Sequence, residues 1–230
     1  MSKGCAIVTG AGTGIGLATA QALAARGLDV ALLGRAEGPL RDAAARIAVD
    51  HGVATRALCC DVGDAAAVSR VTDAVLAAFG APRVVVNNAG VVHRASVEET
   101  TPEAWDAVMS ANLRGPFLVS RAFLPSMRAA GRGRLVHVAS ISSVLGTPRL
   151  SAYCASKWGL LGFTKSLAEE LRGSGLQTLA VLPGSVDTDM LVGSGFAPQM
   201  TPRDVAGTIA YCALDAPDAM NGAAVEVFGP

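Results

Sequence analysis

Cys5-Ala6-Ile7-Val8-Thr9-Gly10-Ala11-Gly12-Thr13-Gly14-Ile15-Gly16 is an apolar, β-forming run that breaks into glycines at alternate positions. An alanine- and leucine-rich stretch follows over 15–26, ending at Arg26-Gly27. Strand, glycine turn and helix N-terminus, in that order, make a site for a pyrophosphate. Glycines let the backbone come close, and free N–H groups with the helix dipole attract the anion. The spacing is Gly-x-x-x-Gly-x-Gly, not the commoner Gly-x-Gly-x-x-Gly. A merely flexible turn would use the same residues, but the position between strand and helix favours dinucleotide binding by Gly10, Gly12, Thr13, Gly14, Ile15 and Gly16.

A second apolar run, Val30-Ala31-Leu32-Leu33, ends at Gly34-Arg35. An acidic residue at such a strand end would bind ribose hydroxyls and repel a 2′-phosphate, whereas an arginine fork accepts one. The pattern therefore favours NADP(H) over NAD(H), with Arg35 as an ordinary solvated residue the alternative. Strand-like segments recur at 5–9, 29–34, 55–60, 83–87, 134–139, 177–182 and 223–228. Helical stretches lie between them near 15–26, 38–51, 64–79, 102–129, 152–172 and 203–213. This alternation predicts an α/β fold of the doubly wound Rossmann type: a mostly parallel seven-stranded sheet with helices on both faces. Ligands should gather outside the carboxyl ends of its strands.

The whole chain reads as one domain, 1–230, with 51% hydrophobic and 17% charged residues. Nineteen basic and nineteen acidic residues cancel, which gives nucleic-acid or membrane binding no electrostatic support. A strand starting within five residues of Met1 and the lack of a bilayer-length apolar run predict a cytoplasmic protein without leader or span. The five cysteines, Cys5, Cys59, Cys60, Cys154 and Cys212, are odd in number and lack metal-ligand spacing, so reduced thiols are expected. His51, His93 and His137 are scattered, and no metal is expected.

Chemistry is carried by Tyr153-Cys154-Ala155-Ser156-Lys157. On a helix the phenol and the ammonium project from one face about a turn apart. An unperturbed phenol has a pKa of ~10, and bringing it to ~7 takes roughly 4 kcal/mol. One surface lysine does not supply that. A second positive charge and exclusion of water would complete the shift and make Tyr153 a general acid/base.

Taken together the motifs resemble the short-chain dehydrogenase/reductase family. They are Thr9-Gly10-x-x-x-Gly14-Ile15-Gly16, Cys60-Asp61-Val62, Asn87-Asn88-Ala89-Gly90, Asn112, Ser140, Tyr153-x-x-x-Lys157, and Pro183-Gly184 with Thr188. The resemblance runs from Ile7 to Val227 and most closely suggests a 3-oxoacyl-acyl-carrier-protein reductase. It implies that Tyr153 exchanges a proton with the substrate oxygen and that Lys157 lowers its pKa and bonds the nicotinamide ribose. Ser140 would hold the carbonyl oxygen, and Asn112 would anchor a water linking Lys157 to solvent. Asp61 would accept from adenine beside Val62, and Asn88-Ala89-Gly90 would lie along the adenosine ribose. Thr188 and the Val186 backbone, after Pro183-Gly184, would fix the carboxamide and select the pro-S hydride. Simpler roles stand beside these: Asn112 as a satisfied polar residue, Asp61 as a cap, Asn87 as a tie to backbone across the sheet, and Asp187 and Asp189 as solvated acids.

The substrate side is read from Ile141, Val144, Leu150, Ser185, Leu191 and Val192, which are mostly apolar. Ser140, Ile141, Tyr153, Ser185 and Leu191 are the expected contacts. The segment Leu191 to Thr201 is short for the family and suggests an open site. The expected activity is an NADP(H)-linked carbonyl reductase or alcohol dehydrogenase acting on a small ketone or secondary alcohol. Sugar, polyol and hydroxysteroid dehydrogenases are alternatives, as is a non-catalytic dinucleotide sensor or scaffold. Trp158, Leu161, Phe163 and Leu167 give the 152–172 helix more apolar surface than one core face needs. The resemblance implies that such helices pair between subunits of a homodimer or homotetramer.

Overall fold

A computed structural model of the chain describes residues 4–229; Met1 and Pro230, the ends of the expected domain, lie outside them. Seven strands form one parallel sheet: β1 (Cys5–Thr9), β2 (Asp29–Gly34), β3 (Thr55–Cys59), β4 (Val84–Asn87), β5 (Gly133–Val138), β6 (Leu176–Pro183) and β7 (Ala224–Val227). Their order is β3-β2-β1-β4-β5-β6-β7, so the chain reverses its direction of travel between β1 and β4. Such a switch point leaves a crevice outside the strand ends, where ligands bind in open α/β sheets.

The helices are α1 (Gly14–Ala25), α2 (Glu37–His51), α3 (Ala65–Phe79), α4 (Pro102–Met109), α5 (Gly115–Ala130), α6 (Ser151–Glu170) and α7 (Pro202–Leu214). Strands buried on both sides read as continuous apolar runs, and their alternate residues feed two cores. Val30, Leu32, Val84, Val86, Val136 and Val138 face one, with Leu23 of α1, Leu40 of α2 and Ile209 of α7. Ile7, Leu33, Val85 and Leu135 face the other, with Val71 of α3, Phe123 of α5 and Leu167 of α6. Among the described residues no helix is long and apolar enough to cross a membrane, and no group of three His, Cys, Asp or Glu could hold a metal.

One expected element differs in kind. The stretch 102–129 is not a single α-helix: Ser110–Arg114 forms a π-helical turn between α4 and α5. A π turn accommodates an extra residue and re-aims side chains locally. Here it turns Asn112 fully inward. Gly115 then lets α5 press on Val62, since a Cβ there would lie 2.6 Å from Val62 Cγ2.

Candidate active site

A cleft of about 1140 Å³ is lined by the segments that follow β1, β4, β5 and β6, by α6, and by the segment before α7. Thr9, at the end of β1, ties the two sides of the switch point together. Its hydroxyl accepts from the backbone N–H groups of Asn88 and Ala89, each at 2.9 Å. The Asn88 amide donates in return to Thr9 O at 2.9 Å and Gly10 O at 3.4 Å. This lacing sets the end of β4 against the glycine turn.

Gly10 and Gly14 take positive φ values, +66° and +54°, which favour glycine. Gly10, Thr13, Gly14 and Ile15 line the cleft. Thr13 is the N-cap of α1 but its side chain caps nothing, so it leaves first-turn amides to an incoming anion. These features fit a bound dinucleotide pyrophosphate. Gly16 does not line the cleft, and a Cβ there would collide with Gly10 O and Asn88 Nδ2. It allows helix and turn to touch. Gly12 faces a separate small hollow with Pro39, Asp42 and Arg46.

α6 carries Tyr153, Ser156, Lys157, Leu160, Thr164 and Leu167 on its buried face, at helical spacing of three and four. Tyr153 and Lys157 thereby enter the cleft beneath the end of β5. The Lys157 ammonium lies 5.6 Å from the Tyr153 ring centroid and donates to Val138 O at 2.8 Å. Ser140 follows β5 and lines the same wall, its hydroxyl accepting from Ser142 N at 3.1 Å.

Burial pushes the Tyr153 phenol up, because the charged form loses its water; hydrogen bonding with Ser140 and the positive charge of Arg94 pull it back down. Lys157 stands beside the ring on the same buried face of α6. Its ammonium points at a backbone carbonyl, and burial brings its own pKa down to about 8.

Asn112 reaches none of the cleft surface. Its Oδ1 accepts from Val91 N at 2.8 Å, and its amide donates to Val91 O at 2.9 Å and Ser156 Oγ at 3.0 Å. A Cβ on Gly90 would sit 3.1 Å from Asn112 Oδ1 and 3.8 Å from Lys157 Nζ, so glycine lets the pair approach from behind. Asn87 differs too: it meets Ser120 Oγ and His137 Nδ1, each at 3.2 Å, and not backbone across the sheet.

Gathered in the cleft are Asn88, Ala89, Gly90, Ser140, Ile141, Tyr153, Lys157, Pro183, Gly184, Ser185, Val186, Thr188, Leu150 and Leu191. Thr188 stands over the glycine turn, 3.2 Å from where a Gly14 Cβ would be. Outside it lie Arg35, exposed after β2, and Asp61, whose carboxylate accepts from Gly63 N at 2.9 Å in a local turn. Val62 belongs to the core, Val144 packs beside Leu160, and Val192 is exposed. Among the lining residues that the sequence does not announce are Arg94, Leu145, Arg149, Met190 and Phe196. They come from irregular segments or, for Met190, a single 3-10 turn, where no periodicity reports direction.

The comparisons agree with this geometry. The family model described as short chain dehydrogenase matches residues 4–195. The chain is 37% identical to a D-threitol dehydrogenase of Mycolicibacterium smegmatis, over 97% of this chain and 91% of the relative. It is 35% identical to a 3-oxoacyl-[acyl-carrier-protein] reductase of Synechocystis, over 91% and 89%. It superposes with TM-score 0.90 on a solved structure from Beutenbergia cavernae, provisionally assigned as an NAD(P)-dependent gluconate 5-dehydrogenase, with NADP bound at low occupancy. That pair is 33% identical, over all of this chain and 96% of the other.

Proposed function

This chain belongs to the short-chain dehydrogenase/reductase family, and from that premise we propose that it reduces a small ketone to a secondary alcohol reversibly, with Tyr153 as general acid/base and NADP(H) preferred to NAD(H). Oxidoreduction at a CH–OH group comes with the family; the substrate, the cofactor preference and the residue roles are the proposal. The observation that carries it is the convergence of Ser140, Tyr153 and Lys157 on one wall of a cleft whose other end is an uncapped helix N-terminus behind a glycine turn.

Gly10, Thr13, Gly14 and Ile15 would hold the pyrophosphate, Asn88-Ala89-Gly90 the adenosine ribose, and Val186 and Thr188 the carboxamide. The nicotinamide, when bound, supplies or takes up the hydride. Tyr153 gives its phenolic proton to the substrate oxygen during reduction and takes it back during oxidation. Ser140 donates to that oxygen and positions it. Lys157, released from Val138 O to the nicotinamide ribose, brings its charge to stabilise the phenolate. Arg94 contributes in the same direction. The case for NADP(H) rests on Arg35 and on a strand end at Leu33-Gly34 that carries no acid. Apolar Ile141, Leu145, Leu150 and Phe196 on the cleft wall support a carbonyl of the 3-oxoacyl type over a polyol.

The test is Tyr153→Phe. Removing a positioned acid/base costs about 10²- to 10⁴-fold in rate. NADPH binding, followed by fluorescence titration, should persist in this variant while turnover of a ketone panel collapses. Undiminished turnover would remove Tyr153 from the chemistry; tighter binding of NADH than NADPH would remove Arg35 from cofactor selection.

A further inference from the structure

Two arginines line the cleft, and beyond the distant charge of Arg94 on Tyr153 the mechanism above gives their guanidinium forks no partner. Arg94 follows β4 by a short irregular segment, and Arg149 immediately precedes the segment leading into α6. Their segments are joined directly: Ala95 N donates to Arg149 O at 3.0 Å. The cleft therefore carries two arginines from adjoining segments, with apolar Leu145 and Met190 in the same lining.

Neither guanidinium is saturated. Arg94 spends one donor on Met190 O at 2.6 Å, out of the five its fork carries. Arg149 meets Glu99 at 3.4 Å, with both side chains mostly exposed, a pairing that water and salt weaken. Two acids share the cleft: Asp187 and Asp189 flank Thr188, which stands over the glycine turn, and Asp189 adjoins Met190, the partner of Arg94.

Arg149 is also the only non-glycine among the described residues with a left-handed backbone, φ +63°. A long L side chain rarely adopts it, and such strain collects at ligand clamps. Glycine would sit there without strain. The strain is held at a residue that lines the cleft, its guanidinium paired only with exposed Glu99.

We infer that Arg94 and Arg149 form an anion-recognition end of the substrate site, so that the preferred substrate is an oxo or hydroxy compound whose apolar chain ends in an anionic oxygen group. This rests on the functional reading above and narrows it. Two sources supply the same chemistry: the carboxylate of a free oxo acid, or the phosphate of a phosphopantetheine thioester. Planar arginine forks suit either, bidentately.

The experiment compares kcat/KM for charged and neutral partners with NADPH. One pair is 3-oxobutanoate and its methyl ester; the other is 3-oxobutanoyl phosphopantetheine and the N-acetylcysteamine thioester. The charged member of at least one pair should be preferred tenfold or more, through KM, with the preference shrinking as salt rises. The pair that shows it identifies the source. Arg149→Gly removes the guanidinium and relieves the backbone together, so it should fold with an equal or higher Tm. In it, the preference should drop at least fivefold. A merely structural role would leave the ratio intact in Arg149→Gly, which overturns the inference. So does equal use of charged and neutral partners by the unaltered protein, including use of neither. NADPH titration of the same samples separates the two failures: binding without preference sinks this inference alone, and no binding takes the functional reading with it.

Discussion

His137 sits in β5 with its ring fully buried, edge-on to Phe163 at 5.5 Å between centroids and beside the Asn87 amide. Its Nε2 has no hydrogen-bond partner. Burial, with the nearby charge of Lys157 adding to it, brings its pKa down from 6.5 to about 3. The folded protein thus keeps this ring neutral where the unfolded chain protonates it. Between about pH 6.5 and pH 3 the unfolded state binds more protons, so stability falls as pH falls through that window. The full separation corresponds to roughly 4 to 5 kcal/mol, a large share of a domain's ~5–15 kcal/mol. His137→Asn should remove that dependence, because an amide does not titrate there. Urea unfolding at pH 6.5 and pH 4.5 should show the unaltered protein losing about 2 to 3 kcal/mol more than the variant. An equal loss in both would mean that the ring is hydrated or paired in solution.

At the scale of the element, the π turn at Ser110–Arg114 is the device that brings Asn112 under Gly90 and α6. Its amide is the partner of both backbone groups of Val91, which continue the Asn88-Ala89-Gly90 segment. Asn112→Ala would strand those two groups and one bond from Ser156. Stranded buried groups cost about 1–3 kcal/mol each, reduced where water enters, so a loss of about 2–4 kcal/mol is expected in urea unfolding. A loss under about 0.5 kcal/mol would show the amide to be idle. The π turn also marks where sequence reading stopped. Strands such as Val30-Ala31-Leu32-Leu33 announce themselves because burial on both faces demands unbroken apolar runs, and Tyr153 with Lys157 because helical spacing fixes a common face. A π turn has no such period: Ser110 to Arg114 reads like its α-helical flanks. The arginines of the cleft are hidden for a related reason. Arg94 and Arg149 lie in irregular chain whose direction is set by tertiary ties, the Ala95–Arg149 bond among them, and not by neighbours in sequence.

At the scale of the molecule, the outer side of α4, α5 and α6 leaves aromatic surface in water. Trp105 is 38% exposed, Phe117 45% and Trp158 53%, and Phe117 meets Phe163 edge to face at 6.4 Å. Trp158 points away from its neighbour Lys157 and so adds to the outside of α6, not to the core. Three large aromatic side chains on adjacent helices, each able to bury 150–250 Å², exceed the scattered exposure that needs no explanation. A two-fold pairing of this face with itself would cover them in a self-complementary contact. Stable interfaces bury about 800 Å² per partner, which these helices have the length to supply. Light scattering on the purified protein should therefore give at least a dimer. Phe117→Glu with Trp158→Glu would place carboxylates in that contact and should shift the mass toward the monomer. Because both positions lie on the outer face and not on the α6 face that carries Tyr153, NADPH titration would show whether the separated subunits remain folded. A monomeric unaltered protein, or a double variant of unchanged mass, would mean that another surface or none joins the copies.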